Sequence, residues 1–152
     1  MGQESVGDLE FSLGYVVKQV HSALRGAMED GLRPMGLTVP QYACLELLSQ
    51  NPGLSNSELA RRAFVSRQSM NLVLRRLEER RLLERPDMAP SGRALPSVLT
   101  EQGQELVREA GVVVREAERA LFAPLSVEAQ GQIRADLAAC IVQARAGDLA
   151  DE

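Results

Sequence analysis

Residues 54–83 read LSNSELARRAFVSRQSMNLVLRRLEERRLL, and this stretch contains two helix starts in close succession. Ser55 is followed by Glu58, which is the capping-box pattern that opens a helix. Ser66 is the predicted cap of a second helix. The apolar side chains of that second helix fall at i, i+3, i+4 and i+7 and form one stripe: Met70, Val73, Leu74 and Leu77. The stretch therefore predicts two helices joined by a tight turn.

The residues that follow predict a β-hairpin. Residues 84–93 have the Pro, Gly and Ser content of a loop, and residues 94–99 read as a short strand that can pair with residues 82–85. Pro96 cannot donate a ladder hydrogen bond, so this strand is expected to be short, irregular or at an edge. Two helices, a tight turn and a hairpin make a winged helix-turn-helix lobe, which we place at residues 37–99.

Helices also flank this lobe. Apolar residues recur at helical spacing from Phe11 to Asp30, in a long helix after Thr100, and again after Ser126. We therefore expect a mainly α fold, in which residues 1–36 and 100–152 form a helical dimerisation region. These terminal helices are too apolar for one small lobe to cover, so we expect a homodimer that buries them across a two-fold axis.

Composition excludes several classes of protein. The chain has 152 residues, of which 45% are hydrophobic, 25% charged and only 3% aromatic, so a helical core of Leu, Val, Ala and Met is favoured over a β-sandwich. Two cysteines, Cys44 and Cys140, are too few for a disulfide framework, and both are predicted to be core residues. Neither a membrane span nor a signal peptide is indicated, so we expect a cytoplasmic protein without membrane contact.

The net charge of −4 hides an uneven distribution along the chain. Residues 54–93 contain nine Arg and five acidic residues, a balance of +4, whereas the rest of the chain carries eight basic and sixteen acidic residues, a balance of −8. A basic middle segment favours contact with nucleic acid, because phosphate contacts depend on local charge. The alternative is that these arginines occupy ordinary solvated helix faces.

The polar side of the second helix carries side chains that suit the edges of bases. Opposite the apolar stripe lie Gln68, Asn71, Leu72, Arg75 and Glu79. Gln and Asn bond adenine bidentately, Arg suits guanine or phosphate, and Leu contacts a thymine methyl group. Read singly, each of these residues could equally be an ordinary solvated side chain.

Four motifs in order resemble the MarR-type transcriptional regulators. They are Leu37-Thr-Val-Pro-Gln-Tyr42, Leu54-Ser-Asn-Ser-Glu-Leu-Ala60, Leu77-Glu-Glu-Arg-Arg-Leu-Leu83 and Leu99-Thr-Glu-Gln-Gly103. The resemblance covers about residues 10–146. It implies an obligate homodimer with interleaved terminal helices, a winged lobe on each side, and regulation by small ligands, often phenolic, or by oxidation.

The resemblance also implies which residues contact DNA. It makes residues 66–83 the recognition helix and Arg93 the wing arginine. The implied contacts in the recognition helix are Ser66, Arg67, Gln68, Ser69, Asn71, Leu72 and Arg75. The chain departs from the family in three places: Ser91 stands where an Asp usually braces the wing arginine, Arg81 replaces a Gly, and Pro96 interrupts the second wing strand.

A ligand crevice is implied where the dimerisation helices meet the DNA-binding lobe, lined by the first, second and fifth helices. We expect His21 and Arg25 to bind an anionic ring substituent there, with Met28 and Tyr42 as apolar walls. The alternative is that His21 and Arg25 only satisfy partners at the dimer interface.

The sequence contains little that could support catalysis. His21 is the one histidine, no metal-ligand spacing surrounds it, and neither a Gly-rich phosphate loop nor a nucleophile elbow is present. We expect no enzyme activity, no cofactor and no metal.

The leading hypothesis is a homodimeric repressor that binds a pseudo-palindromic site on double-stranded DNA and responds to a small aromatic or phenolic ligand. The alternative is a winged-helix protein-interaction module without specific DNA binding.

Overall fold

The computed structural model describes residues 7–86 and 96–150, with side chains as far as residue 147. Six α-helices and a two-stranded sheet follow each other along the chain. They are α1 (Leu13–Leu32), α2 (Val39–Gln50), α3 (Asn56–Arg62), α4 (Arg67–Glu79), β1 (Leu83–Glu84), β2 (Val98–Leu99), α5 (Glu101–Phe122) and α6 (Val127–Ala150). Short 3-10 turns precede α1 and α2. The mainly α, winged helix-turn-helix fold is confirmed.

Polar caps set where the helices begin. At α2, Gln41 N–H donates to Thr38 Oγ1 at 3.3 Å, and Thr38 N–H donates to Gln41 Oε1 at 3.1 Å. The same reciprocal pair joins Ser55 and Glu58 at α3. Each pair satisfies backbone donors that a helix start leaves without an intrahelical acceptor. The start predicted at Ser55 is therefore the observed one, whereas the first helix begins at Leu13, because the predicted start, Phe11, lies in the 3-10 turn before α1.

The ends of α3 and α4 take a left-handed residue that is not glycine. Phe64 and Arg81 both have φ of 59°, and the next residue donates back across the last turn, Val65 N–H to Ala60 O and Leu82 N–H to Leu77 O. This closure ends α4 at Glu79 and lets Leu83 begin β1. The prediction of a recognition helix running to Leu83 is therefore wrong at its C-terminal end.

The wing is a short antiparallel pair, in which Leu83 is opposite Leu99 and Glu84 is opposite Val98. Pro96 and Ser97 lie outside the strand, as expected for a residue that cannot donate to the ladder. Residues 94 and 95 of the predicted strand are outside the described residues.

The chain divides into two compact units, residues 1–117 and residues 118–152. The core lies in the first unit, and its largest fully buried side chains come from α1, α2, α3, α4 and β1 together with the residue before β1: Leu32, Cys44, Leu45, Leu59, Met70, Leu74, Leu77, Leu82 and Leu83. The second unit holds all of α6, whose described side chains are almost all exposed. No helix within the described ranges has the length and apolar character that a membrane crossing requires.

Two glycines allow close backbone approaches in the first unit. A Cβ atom at Gly103 would lie 1.9 Å from the Leu82 carbonyl oxygen, and one at Gly31 would lie 2.4 Å from Val113 Cγ1. The first contact joins the start of α5 to the end of the α4 turn. The second brings α1 against α5. Both positions exclude any larger residue unless the backbone or the neighbouring side chain moves.

Candidate nucleic-acid interface

Two serines organise the N-terminus of α4. Ser69 N–H donates to Ser66 Oγ at 3.1 Å, and the Ser66 hydroxyl donates to Ser69 Oγ at 2.9 Å. Both residues are exposed. Because the first N–H groups of a helix carry partial positive charge, this end of α4 is suited to an anionic partner such as a backbone phosphate.

The rest of α4 separates cleanly into a buried and an exposed side. Met70, Leu74 and Leu77 are fully buried, whereas Leu72 is 50% exposed. The exposed side contains the remaining predicted contacts of this helix: Arg67, Gln68, Asn71 and Arg75. The structure therefore brings all seven predicted contacts from residues 66–75 onto accessible positions of one capped helix.

A neighbouring helix orients one of these side chains. Asn56, at the start of α3, donates from Nδ2 to Oδ1 of Asn71 at 3.4 Å. This bond leaves the Nδ2 hydrogens of Asn71 as its outward donors. An amide donor suits an acceptor on a base edge or a phosphate oxygen. The sequence pattern did not predict this contact, because no local spacing links residues 56 and 71.

The charge around the helix pair is positive. Residues 59–77 include five arginines and no acidic residue. Just before them, the Ser55 hydrogen bonds that form the capping box hold the pKa of the Glu58 carboxyl below its usual range. Glu58 is therefore ionised at the start of α3, where its charge complements the helix dipole.

The base of the wing is attached to α4, whereas the wing tip lies outside the described residues. Arg85, just after β1, pairs with Glu78 at 3.9 Å between Nε and Oε2. Arg93, the predicted wing arginine, and its neighbours Ser91 and Gly92 belong to the part of the chain that is not described. The contact predicted for Arg93 stays a prediction.

Arg80 makes a long-range contact that the sequence reading missed. Its Nη1 donates to Gly36 O at 2.7 Å and its Nη2 to Met35 O at 3.3 Å. These bonds connect the end of α4 to the turn between α1 and α2. The signal in the sequence is weak, because Arg80 is one of several arginines at the end of this helix.

The predicted ligand residues are not brought together at one cavity. Arg25 pairs with Glu29 at 3.0 Å and lines a cavity of about 640 Å³. His21 is exposed on α1, Met28 packs partly buried against the core, and the nearly buried Tyr42 donates from its hydroxyl to Glu46 Oε2 at 3.3 Å. None of these three residues belongs to the lining of the Arg25 cavity.

The Arg25 cavity is lined by two of the three predicted helices, α1 and α2, and by α4 in place of α5. Its lining comes from the C-terminal half of α1, the start of α2 and the middle of α4, rather than from α5. Arg33 and Arg76 join Arg25 as basic groups, and Leu72 and Val73 of α4 supply apolar surface. The cavity therefore combines three cations and the Glu29 carboxylate with apolar walls, and it includes Leu72, one of the predicted DNA contacts.

The two cysteines have different surroundings. Cys44 is fully buried, and burial raises the pKa of its thiol to about 12, against a smaller opposing effect of the Arg85 charge. Cys44 is thus the core residue that was predicted. Cys140 is exposed on α6, so the prediction that it lies in the core is wrong for the single chain. Its neighbours on α6 are exposed as well.

Comparison with known proteins agrees with this geometry. A sequence model of the MarR family matches residues 35–94. The HTH-type transcriptional repressor Rv2887 of Mycobacterium tuberculosis is 44% identical over 122 residues, which are 80% of this chain and 88% of that protein.

Solved structures extend the likeness to three dimensions. The M. tuberculosis protein Rv2887 in complex with salicylic acid superposes with a TM-score of 0.72 at 43% identity, over 85% of this chain and 96% of that one. Its complex with DNA gives a TM-score of 0.72 at 40% identity, over 85% and 97%. CouR from Rhodococcus jostii bound to p-coumaroyl-CoA gives 0.77 at 25% identity, over 86% and 92%. With its capped helix pair, its wing and these relatives, the chain belongs to the MarR family.

Proposed function

We propose that this protein is a cytoplasmic, homodimeric repressor that binds a pseudo-palindromic DNA site through α4 and loses DNA affinity when a small aromatic acid binds. The observation that carries the proposal is the exposed side of α4, which combines a capped N-terminus with Asn, Gln and Arg, while residues 59–77 contain no acidic side chain. A regulator that acts through binding alone needs no catalytic groups. Within the described ranges, His, Cys, Asp and Glu nowhere cluster into a metal-binding set.

Dimerisation is supported by the apolar surface of the terminal helices. On and just before α1, Phe11 is 88% and Leu13 69% exposed, and on α6 Val127 is 83% and Val142 67% exposed. A second copy of the chain would cover such surface about a two-fold axis. Two α4 helices would then lie about 34 to 36 Å apart, which is the spacing of successive major grooves on one side of the duplex.

DNA binding is tested directly with duplexes from the region upstream of the protein's own coding sequence. We expect affinity to fall steeply with salt concentration, because arginines that contact phosphates displace bound counterions. Replacing one phosphate-contacting residue, such as Arg67, by Ala should lower the slope of log affinity against log salt by about 1. A protein that binds no duplex specifically at any salt concentration would instead be the protein-interaction module.

For the ligand, we propose the cavity that Arg25 lines. A carboxylate would pair with Arg25, Arg33 or Arg76, and an aromatic ring would lie against Leu72 and Val73. The relative Rv2887 was solved with salicylic acid and CouR with a phenolic thioester, p-coumaroyl-CoA, which supports a ligand of this class. Because Leu72 lines the cavity and is also a proposed DNA contact, a bound ring would oppose DNA binding.

Calorimetry with salicylate tests this assignment. We expect Arg25→Ala and Arg76→Ala to weaken binding at least about tenfold, because each removes a charged hydrogen-bond donor from the acid. His21→Ala is the matched control, since His21 lies outside the cavity lining. If His21→Ala weakens binding and Arg76→Ala does not, the ligand lies in the crevice predicted from the family instead.

A further inference from the structure

Phe64, in the turn between α3 and α4, is held in an unfavourable conformation and is exposed. Its side chain is 94% exposed, and its φ of 59° lies in the left-handed region. For an L-residue this conformation brings Cβ close to the following carbonyl oxygen. Glycine has no such cost and is the usual residue at this position of a helix end. The turn itself therefore does not require a phenylalanine.

The hydrogen bonds of the turn involve only backbone groups. Phe64 N–H donates to Arg61 O at 3.3 Å, and Val65 N–H donates to Ala60 O at 3.0 Å. A glycine at position 64 would make the same bonds. With the ring almost fully in solvent, the aromatic side chain contributes nothing evident to the folded monomer. A residue that is both strained and exposed indicates a role other than folding.

The surroundings of Phe64 indicate a polyanionic partner. Arg61 and Arg62 end α3, Arg67 begins α4, and all three are exposed. Residues 59–77 contain no acidic side chain. Duplex DNA presents phosphates together with apolar groups, the deoxyriboses and the thymine 5-methyl groups at the major-groove edge. An exposed ring between arginines matches that combination of charge and apolar surface.

We propose that Phe64 is a DNA contact, whose ring packs against a deoxyribose or a thymine methyl group while the flanking arginines meet phosphates. The contact lies next to the capped start of α4, which enters the groove in the proposed function. This inference rests on that proposed function. It adds a DNA contact that does not lie on the exposed side of α4. Helical periodicity cannot predict this contact, because a turn has no helical period.

The test is a pair of substitutions at this position. Phe64→Gly removes the ring and relieves the backbone, so we expect a higher Tm together with DNA affinity about tenfold weaker. Phe64→Tyr keeps the ring and should bind within about twofold of the wild type. A purely structural role would move Tm and affinity in the same direction.

Duplexes with uracil in place of thymine then identify the group contacted. If the ring touches a thymine methyl, exchange of thymine for uracil weakens the wild type more than it weakens Phe64→Gly. If the ring touches deoxyribose, the exchange weakens both proteins equally, through contacts such as that of Leu72. Wild-type affinity in Phe64→Gly, with specific binding intact, overturns this inference alone. Failure of the wild type to bind any duplex specifically overturns the proposed function and this inference with it.

Discussion

The surroundings of Asn71 and Cys44 have opposite effects on how available each side chain is to a partner or reagent. The Asn56 amide fixes the carbonyl end of Asn71 and leaves its amino group facing outward from α4. Burial keeps the Cys44 thiol protonated and out of contact with solvent. The first residue is prepared to make a specific contact, and the second is prevented from reacting.

Replacing Asn71 by Ala should relax the sequence preference of DNA binding. If Asn71 reads a base edge, we expect the preferred site to lose about 1 to 3 kcal/mol while sites altered at that base pair lose much less. Competition binding with a set of single-base-pair variants measures the difference. Arg67→Ala is the contrasting variant, because the loss of a phosphate contact weakens all sites alike. Equal weakening of every site by Asn71→Ala would contradict the base-reading role.

Thiol labelling should separate the two cysteines. The reactive species is the thiolate, and a folded-state pKa near 12 leaves Cys44 almost entirely protonated at neutral pH. We expect native Cys140→Ser, whose remaining thiol is Cys44, to stay unlabelled until denaturant is added. Rapid labelling of native Cys140→Ser at pH 7 would show that Cys44 is accessible.

The same pKa shift has a consequence for stability at alkaline pH. The folded-state pKa of Cys44 is raised above its unfolded value of 9.0, so the folded state binds the proton more tightly. Its contribution is therefore complete below pH 9 and is lost as pH rises toward 12. Substitution by Ala should flatten the alkaline limb of a stability profile in this range.

At the scale of elements, helix starts could be predicted from sequence because their cause is local. Thr38, Ser55, Ser66 and Thr100 each accept a hydrogen bond from the backbone three residues on, as their positions before apolar periodic segments indicate. The wing strands could be placed as well, to within a few residues. Exposure of the polar side of α4 followed from the helical period alone.

Features that depend on distant parts of the chain could not be predicted. The Arg80 contact crosses 44 residues, and the Arg25 cavity needs α1, α2 and α4 at their folded distances. Helix ends at Phe64 and Arg81 were hard to place because the usual glycine signal is absent at both. The backbone conformation of Phe64 and Arg81 follows from the hydrogen bonds that close each helix end. The local sequence contains no signal that predicts these bonds.

Arg81→Gly should stabilise the fold. Arg81 holds a φ of 59° at the end of α4, and relief of that conformation is worth about 1 kcal/mol. The Arg81 carbonyl accepts from Thr100 Oγ1 at 2.7 Å, a bond that glycine retains. Denaturant unfolding of the wild type, Arg81→Gly and Arg81→Ala measures the effect. The alanine variant keeps a Cβ, so a gain of equal size in Arg81→Ala would show that strain is not the cause.

At the scale of the whole molecule, the distribution of charge between the terminal helices and the winged lobe explains how a chain of negative net charge can bind DNA. A chain of net charge −4 is a poor ligand for DNA if its charge is averaged, but the acidic residues lie mostly outside the winged lobe. A dimer would add a second basic lobe at a fixed distance from the first. Binding strength would then come from two lobes acting together.

The proposed dimer is tested by placing a charge on α6. Ile141 is 53% exposed in the single chain, and Ile141→Asp would set an unpaired carboxylate in an apolar interface. We expect sedimentation at micromolar concentration to shift from dimer to monomer and specific DNA binding to be lost. Glu128→Lys, also on α6 but at an already charged position, should leave the dimer intact. A dimer that persists in Ile141→Asp would place the interface elsewhere.

The close approach of Gly103 to the Leu82 carbonyl explains why one of the four family motifs ends in glycine. The segment Leu99-Thr-Glu-Gln-Gly103 ends in a residue that no other amino acid can replace without moving the backbone. Its threonine caps α5 and holds the Arg81 carbonyl. The motif is thus required for the packing of α5 against the turn after α4. This requirement does not depend on which operator or inducer the protein binds. A shared motif of this kind therefore shows that two proteins have a common fold. Which genes a protein regulates depends on other residues.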